Sequence, residues 1–226
     1  MTTETRHGAD PIRLGGTVLA RKRHICAFFH TNDEQYQILL PYMKEGIQMG
    51  QKAFHIIDAQ RRDEHLLQLR EAGIDTSSAE RSGQLEICGW EQAYLRDGHF
   101  DQMRMLALIE EVLQGGKKQG FPLTRLVANM EWALEDRPGV EDIVEYETRL
   151  NYVLPRYDDP VICTYSLTQF SANVVMDILR AHPMVLIGGI LQENPFFVPP
   201  DQLLAELRAR KPYSPKRYAE FGQACA

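Results

Sequence analysis

The sequence predicts an α/β protein with a mainly parallel sheet and helices on both faces. Three observations carry that expectation. Short, nearly continuous apolar runs recur along the chain: HICAFFH, KAFHII, TRLVANM, VICTY and MVLI. Strands of that composition are covered on both faces, as in parallel sheets. Longer segments with apolar residues at helical spacing separate them. Strand and helix alternate about five times, which favours crossover units over antiparallel hairpins.

Taken in order, residues 1–16 are polar and glycine-containing and read as a flexible leader, with a short element expected at Thr17–Leu19. The basic run Arg21–Arg23 precedes the first strand, His24–His30. Thr31, Asn32 and Asp33 offer N-caps, and Thr31 with Glu34 has capping-box spacing. Tyr36, Leu39, Leu40, Met43 and Ile47 mark the helix that follows, and Gly46 and Gly50 lie near its end. Lys52–Ile57 is the second strand, followed by a charged helix that stops near Gly73. Gln84–Cys88 is the third strand, and Phe100 to about Gln119 a long helix. Thr124–Met130 is the fourth strand and leads into Glu131–Trp132.

Pro138 suits the first turn of a helix marked by Val140, Ile143, Val144, Glu147, Leu150 and Leu154. Val161–Tyr165 is the fifth strand, and Ser171 is the expected cap of the next helix. Met184–Ile187 is the sixth strand. Asn194–Val198 reads as an edge strand, because Pro195 has no N–H to give a ladder. A short helix runs from Pro199–Pro200 to about Leu207, and residues 211–226 are a polar tail with a final turn expected at Tyr218–Phe221. No composition shift or repeat divides residues 17–210, which read as a single domain.

Composition narrows the function. Of 226 residues, 44% are hydrophobic and 25% charged, enough for a sizeable core. The formal net charge of −6 argues against a nucleic-acid surface. The four cysteines are far apart and form no C-x-x-C pair, so a reducing cytosol is the simpler setting. The N-terminus has no signal-peptide pattern, and no run of about 18 apolar residues suggests a membrane span.

In a sheet of this kind ligands bind beyond the carboxyl ends of the strands. That rule selects His30, Asn32, Glu131, Trp132 and Tyr165, with Asp58, Trp90 and Gln192–Asn194 beside them, as residues that would ring one crevice. His30 and Glu131 would supply hydrogen bonds, and Trp132 and Tyr165 apolar walls. His24, Cys26, Phe28 and His30 have period two and share one face. A histidine and a cysteine two apart can share a metal ion. The ends of this set are about 20 Å apart at ~3.3 Å per residue, and no second pair completes four ligands. No metal site is therefore expected, and Cys26 and Cys163 read as packing. The first strand is followed by HTNDEQYQ, with no G-x-x-x-x-G-K-[ST]. Asp33 and Glu34 would oppose a phosphate at that helix start. No G-x-S-x-G elbow exists, and Cys88, near Trp90 and His99, is the better candidate for a reactive thiol.

An ordered set of short pieces resembles a known family, the methanogen/methylotroph or DcmR-type sensory domain (MEDS). The pieces are His24-Ile-Cys26 with Phe28-Phe29, Gly46 with Gly50, Met130-Glu131-Trp132, Tyr146-Glu147 with Asn151, Cys163-Thr-Tyr165 with Phe170, His182-Pro183 and Asn194-Pro195-Phe196-Phe197. Together they span residues 17–199. The resemblance implies a RecA/KaiC-like three-layer sandwich that has lost its phosphate loop. It also implies a non-catalytic sensory role in signal transduction or transcription control, with small organic compounds such as hydrocarbon derivatives as ligands. His24, Cys26, His30, Asn32, Glu131, Trp132 and Tyr165 are the expected ligand-binding set. No catalytic residue, metal or cofactor is expected. A kinase or transcription regulator is the expected partner, on a separate chain because few residues follow Pro199, and self-association is open. Two alternatives stay open: an enzyme using a thiol or metal, and an interaction protein with a vestigial pocket.

Overall fold

The computed structural model describes residues 11–19 and 22–210. The expected turn at Tyr218–Phe221, most of the leader and the tail lie outside the described residues. The core is a seven-stranded sheet in the order β5-β4-β6-β7-β3-β8-β9. Its strands are β3 (His24–Phe29), β4 (Lys52–Ile57), β5 (Leu85–Gly89), β6 (Thr124–Asn129), β7 (Val161–Ser166), β8 (Met184–Ile187) and β9 (Ile190–Glu193). All neighbours are parallel except β8 and β9. The nearly continuous apolar runs are thus explained, since β3 is buried at every position.

Two apolar layers seal the sheet. Helices α1 (Asn32–Gln48), α2 (Arg62–Glu71) and α3 (Thr76–Arg81) cover the face carrying Ile25, Ala27, Phe29 and Ile162. Helices α4 (Gln102–Lys118), α5 (Ile143–Val153), α6 (Ala172–Ala181) and α7 (Pro200–Ala209) belong to the other layer, which packs on Cys26, Phe28, Val161, Cys163 and Tyr165. The period-two prediction for β3 holds: even-numbered residues face one layer and odd-numbered residues the other.

Two readings need correction. Residues 13–18, partly assigned to a flexible leader, form a small antiparallel pair, β1 (Arg13–Leu14) with β2 (Thr17–Val18). Ile12 and Leu14 are buried beside α1, and that burial holds the segment down. The expected edge strand Asn194–Val198 is not a strand; the edge is β9, immediately before it. Gly188 and Gly189 both have positive φ, 56° and 74°, which closes a tight reversal between β8 and β9. Asn194 then has other work: its amide donates to the carbonyls of Leu179 and His182. Ser171 stands at the N-cap of α6 as expected, but its side chain makes no capping bond.

Two buried polar arrangements anchor the α1–α3 side. Arg125 is 1% exposed. Its guanidinium donates to Gln51, the Tyr42 carbonyl and Glu45, and lies over the Tyr42 ring. Gly46 makes room for it, since a Cβ there would come within 2.7 Å of Arg125 Cδ. His55 and His65 are linked by a 2.8 Å hydrogen bond, and His65 is linked to the Tyr36 hydroxyl at 2.9 Å. Burial depresses both histidines, His65 to about 4 and His55 well below its usual value, with His65 adding to the effect on His55.

Gly46→Ala should destabilise the protein by about 1–3 kcal/mol, the cost of overpacking against a held side chain; a urea melt reads it directly. The histidine pair predicts acid sensitivity. Both are neutral when folded and accept protons more readily when unfolded, so their contribution is complete above pH 6.5 and is lost as pH falls toward about 4. Replacing His65 with Gln should flatten the stability–pH curve across that window, measured by denaturant midpoints at successive pH values.

Candidate functional site

The sequence rule directs attention to the carboxyl ends of β3, β4 and β6, and side chains fill most of that space. Arg61 donates to Asn32 Oδ1 at 3.0 Å and to both oxygens of Glu64. With Tyr36, His65 and Asn129 it leaves a cavity of only about 20 Å³. The start of α1 is likewise satisfied by its own residues. Thr31 Oγ1 accepts from the Glu34 N–H at 3.1 Å, and Glu34 Oε2 accepts from the His30 N–H at 2.7 Å. A carboxylate therefore sits where a phosphate loop would present its donors.

An open cleft of about 400 Å³ lies beyond the ends of β4 and β5 instead. Asp58, Trp90, Glu91, Leu95, Glu135 and Arg137 are among its lining residues. The Trp90 indole N–H is buried and has no protein acceptor among the described residues. The neighbouring Cys88 is not activated: burial, and secondarily Glu86, push its thiol up to about 11, the opposite of a nucleophilic cysteine.

The expected ligand-binding residues do not meet in one crevice. His30 and Asn32 are exposed beyond β3. Glu131 sits at the end of β6, where one oxygen accepts from the Ser166 N–H at 2.9 Å and the other is buried without a hydrogen-bond partner among the described residues. Burial raises its pKa. Trp132 is completely buried, stacked on Tyr94 with ring centroids 4.5 Å apart and packed on Phe100. Cys26 is enclosed, its thiol directed at the Met184 carbonyl. The physical reason for Cys26 is the sheet itself: successive residues point to opposite faces, both faces are covered by helices, and a side chain inside the strand meets a helix layer, not a crevice.

His24 and Tyr165, by contrast, converge on a residue outside that expected set, Glu147 of α5. Its carboxylate is 0% exposed. Tyr165 donates to Oε1 at 2.9 Å. His24 Nε2 and His182 Nε2 each lie 3.1 Å from Oε2, and Cys163 Sγ lies 3.6 Å from it. The two imidazole rings face each other at 4.0 Å. Burial works against the Glu147 carboxylate, and a proton on either imidazole Nε2 would offset it through charge and a hydrogen bond.

The far side of each ring defines its tautomer. His182 Nδ1 is 2.8 Å from the Ile178 carbonyl, which can only accept. The Asn151 amide nitrogen donates to three carbonyls, those of Glu147, Thr148 and Ala181, so its oxygen faces His24 Nδ1 and accepts from it. Both protons are thereby placed on Nδ1, and both Nε2 atoms turn inward. His182 Nε2, despite its distance to Oε2, is not in hydrogen-bond geometry with any described residue. One atom each from His24, Glu147, Cys163 and His182 lies within 4.8 Å of the others, a set able to hold a metal ion. Glu147 had a visible signal in the sequence: an acid at a core position of an amphipathic helix, between Val144 and Leu150. No spacing rule links it to His182, which terminates α6.

Comparison with known proteins agrees with the pattern of short motifs. Residues 23–183 match the family described as MEDS, the methanogen/methylotroph, DcmR sensory domain. The transcriptional repressor DcmR of Methylorubrum extorquens is 28% identical over 176 residues, covering 77% of this chain and 63% of that protein. The chain thus spans less than two thirds of that relative. A KaiC-like protein from Pyrococcus horikoshii is similar in structure, with a TM-score of 0.49 and 16% identity over 72% of this chain and 69% of its own.

Tyr165→Phe strands Glu147 Oε1 without its donor and should cost about 1–3 kcal/mol of stability, seen as a lower urea midpoint at unchanged slope. Trp132→Ala should cost more, about 3–5 kcal/mol, through the cavity it leaves among Tyr94 and Phe100. A small loss in the same melt would show that this aromatic stack is dispensable.

Proposed function

This chain belongs to the MEDS family of sensory domains, and on that premise we propose that it is a non-catalytic module that binds a small organic molecule at the carboxyl ends of β4 and β5. Its ligand state passes to a transcription regulator or kinase. The observation that carries the reading is the 400 Å³ cleft at those strand ends, a size within the range of about 300–1,000 Å³ found for small-molecule pockets. Trp90 supplies a flat apolar wall. Four acids of the lining, Asp58, Glu91, Asp97 and Glu135, stand against one cation, Arg137. That balance favours a neutral polar or cationic compound over an anion.

The self-capped start of α1 supports the same view, since a nucleotide phosphate would meet Asp33 and Glu34 in the first turn. The role in transcription control rests on the relation to the DcmR repressor. A reducing compartment suits Cys26, Cys88 and Cys163, all free thiols.

Trp90 and Trp132 are the two tryptophans of the chain, which makes the cleft optically testable. In a Trp132→Phe protein, small alcohols, amines and halogenated hydrocarbons should be screened by Trp90 fluorescence and thermal shift. A true ligand should change the emission and raise the melting temperature together. Trp90→Ala should weaken its binding at least tenfold, and for a cationic ligand Glu135→Gln should do the same. A ligand that stabilises the protein equally well without Trp90 would place its site elsewhere.

A further inference from the structure

We propose that His24, Glu147, Cys163 and His182 form a four-coordinate site for a divalent transition-metal ion, with zinc the first candidate. The site lies beneath α5, on the sheet face opposite α1, and goes beyond the sensory reading of the carboxyl-end cleft.

The donor set is assembled from four separate parts of the chain: the first residue of β3, the middle of α5, the third residue of β7, and the corner between α6 and β8. Their donor atoms are already at coordination spacing. Bonds of about 2.0 Å to nitrogen or oxygen and 2.3 Å to sulfur place tetrahedral ligand atoms about 3.3 Å apart, or about 3.5 Å when one is sulfur. Here both imidazole-to-carboxylate separations are 3.1 Å, carboxylate to thiol 3.6 Å and imidazole to thiol 3.9 Å. The widest separation in the set is within 4.8 Å.

The surroundings orient the ligands as metal sites do. A ligating histidine usually donates its other N–H to a carbonyl or carboxylate, which aims the lone pair at the ion. His182 does this through the Ile178 carbonyl and His24 through Asn151. Asn194 clamps the backbone on which His182 is mounted. Tyr165 holds the second carboxylate oxygen, leaving Oε2 for the centre. Three lone-pair atoms, two of nitrogen and one of oxygen, are then directed at one another among buried side chains. The Cys163 thiol donates to the carboxylate oxygen at 3.6 Å, and that proton does not serve the two imidazole lone pairs. His182 Nε2, 0% exposed, is the atom left over, with no hydrogen-bond partner among the described residues. A cation serves all of them.

Charge balance points the same way. Two neutral imidazoles, one carboxylate and one thiolate carry two negative charges, which a divalent ion neutralises within an apolar layer. The Cys163 S–H bond breaks as the sulfur–metal bond forms, and the proton leaves to solvent; no oxidant or reductant is involved. Mixed nitrogen, oxygen and sulfur donors suit zinc and its neighbours, not magnesium or calcium. With four protein ligands the centre is closed, so it would tie β3, β7, α5 and the α6–β8 corner together without offering a position to a substrate.

The test uses the full chain, without a polyhistidine tag, stripped by chelator under reducing conditions and titrated with cobalt(II) and then zinc. One equivalent of cobalt should give tetrahedral ligand-field absorption and a thiolate-to-metal charge-transfer band, both abolished by one equivalent of zinc, and zinc should raise the melting temperature. Cys163→Ser should remove the charge-transfer band, whereas Cys88→Ser should keep it. X-ray absorption on the zinc-loaded wild type, which needs no variant to fold, should show one sulfur at about 2.3 Å and nitrogen or oxygen at about 2.0 Å. Absence of stoichiometric binding, a coordination shell without sulfur, or a charge-transfer band that survives in folded Cys163→Ser would overturn the proposal.

Discussion

A carboxylate cannot be enclosed in an apolar layer without compensation, and the Glu147 side chain is wholly enclosed. It faces α5 into the sheet, where Tyr165, His24, His182 and Cys163 surround its two oxygens. Much of the surrounding architecture serves those contacts. His24 opens β3, Tyr165 lies on the neighbouring β7, and His182 is held where α6 turns into β8 by Asn194 reaching back to two carbonyls. Removing any one of these partners would leave the buried charge less compensated. An apolar residue of similar size at position 147 would pack more simply. The retention of a charged group here is a reason to look for a task beyond stability.

The opposite helix layer solves a similar problem differently. Arg125 is also enclosed, but its partners are amide, carbonyl and carboxylate groups of α1 and the turn after it, and Gly46 leaves room for its stem. Nothing about that arrangement calls for an ion. The contrast is chemical: no Arg125 nitrogen lacks an acceptor, while beside Glu147 the buried His182 Nε2 has no hydrogen-bond partner among the described residues. The carboxyl ends of the strands differ again. Arg61, Asn32 and Tyr36 occupy the position below α1, and the open volume has moved toward β5 and Trp90.

Much of the fold was legible because its causes are local. Apolar runs of strand length report burial on both faces, and helical spacing reports one buried stripe. The strands β3, β4, β6, β7 and β8 lie where those runs lie. The missed features depend on partners distant in the chain. Ile12 and Leu14 look like leader residues until α1 and the sheet edge are beside them. Asn194 looks like part of a strand until its amide meets Leu179 and His182. Trp132 looked like a pocket wall because it follows a strand, but Tyr94 and Phe100, from a preceding loop, close over it.

The sequence by itself determined the α/β class, the faces of β3, and the absence of a phosphate loop after it, because each follows from residue type and period within one segment. Even the family was readable in the order of short motifs, now matched over residues 23–183. Tertiary structure alone decided which of those motif residues meet. His24 and Glu147 are 123 positions apart and His24 and Cys163 139 apart. No periodicity spans such distances; parallel pairing of β3 with β7 and the packing of α5 across them bring the atoms together.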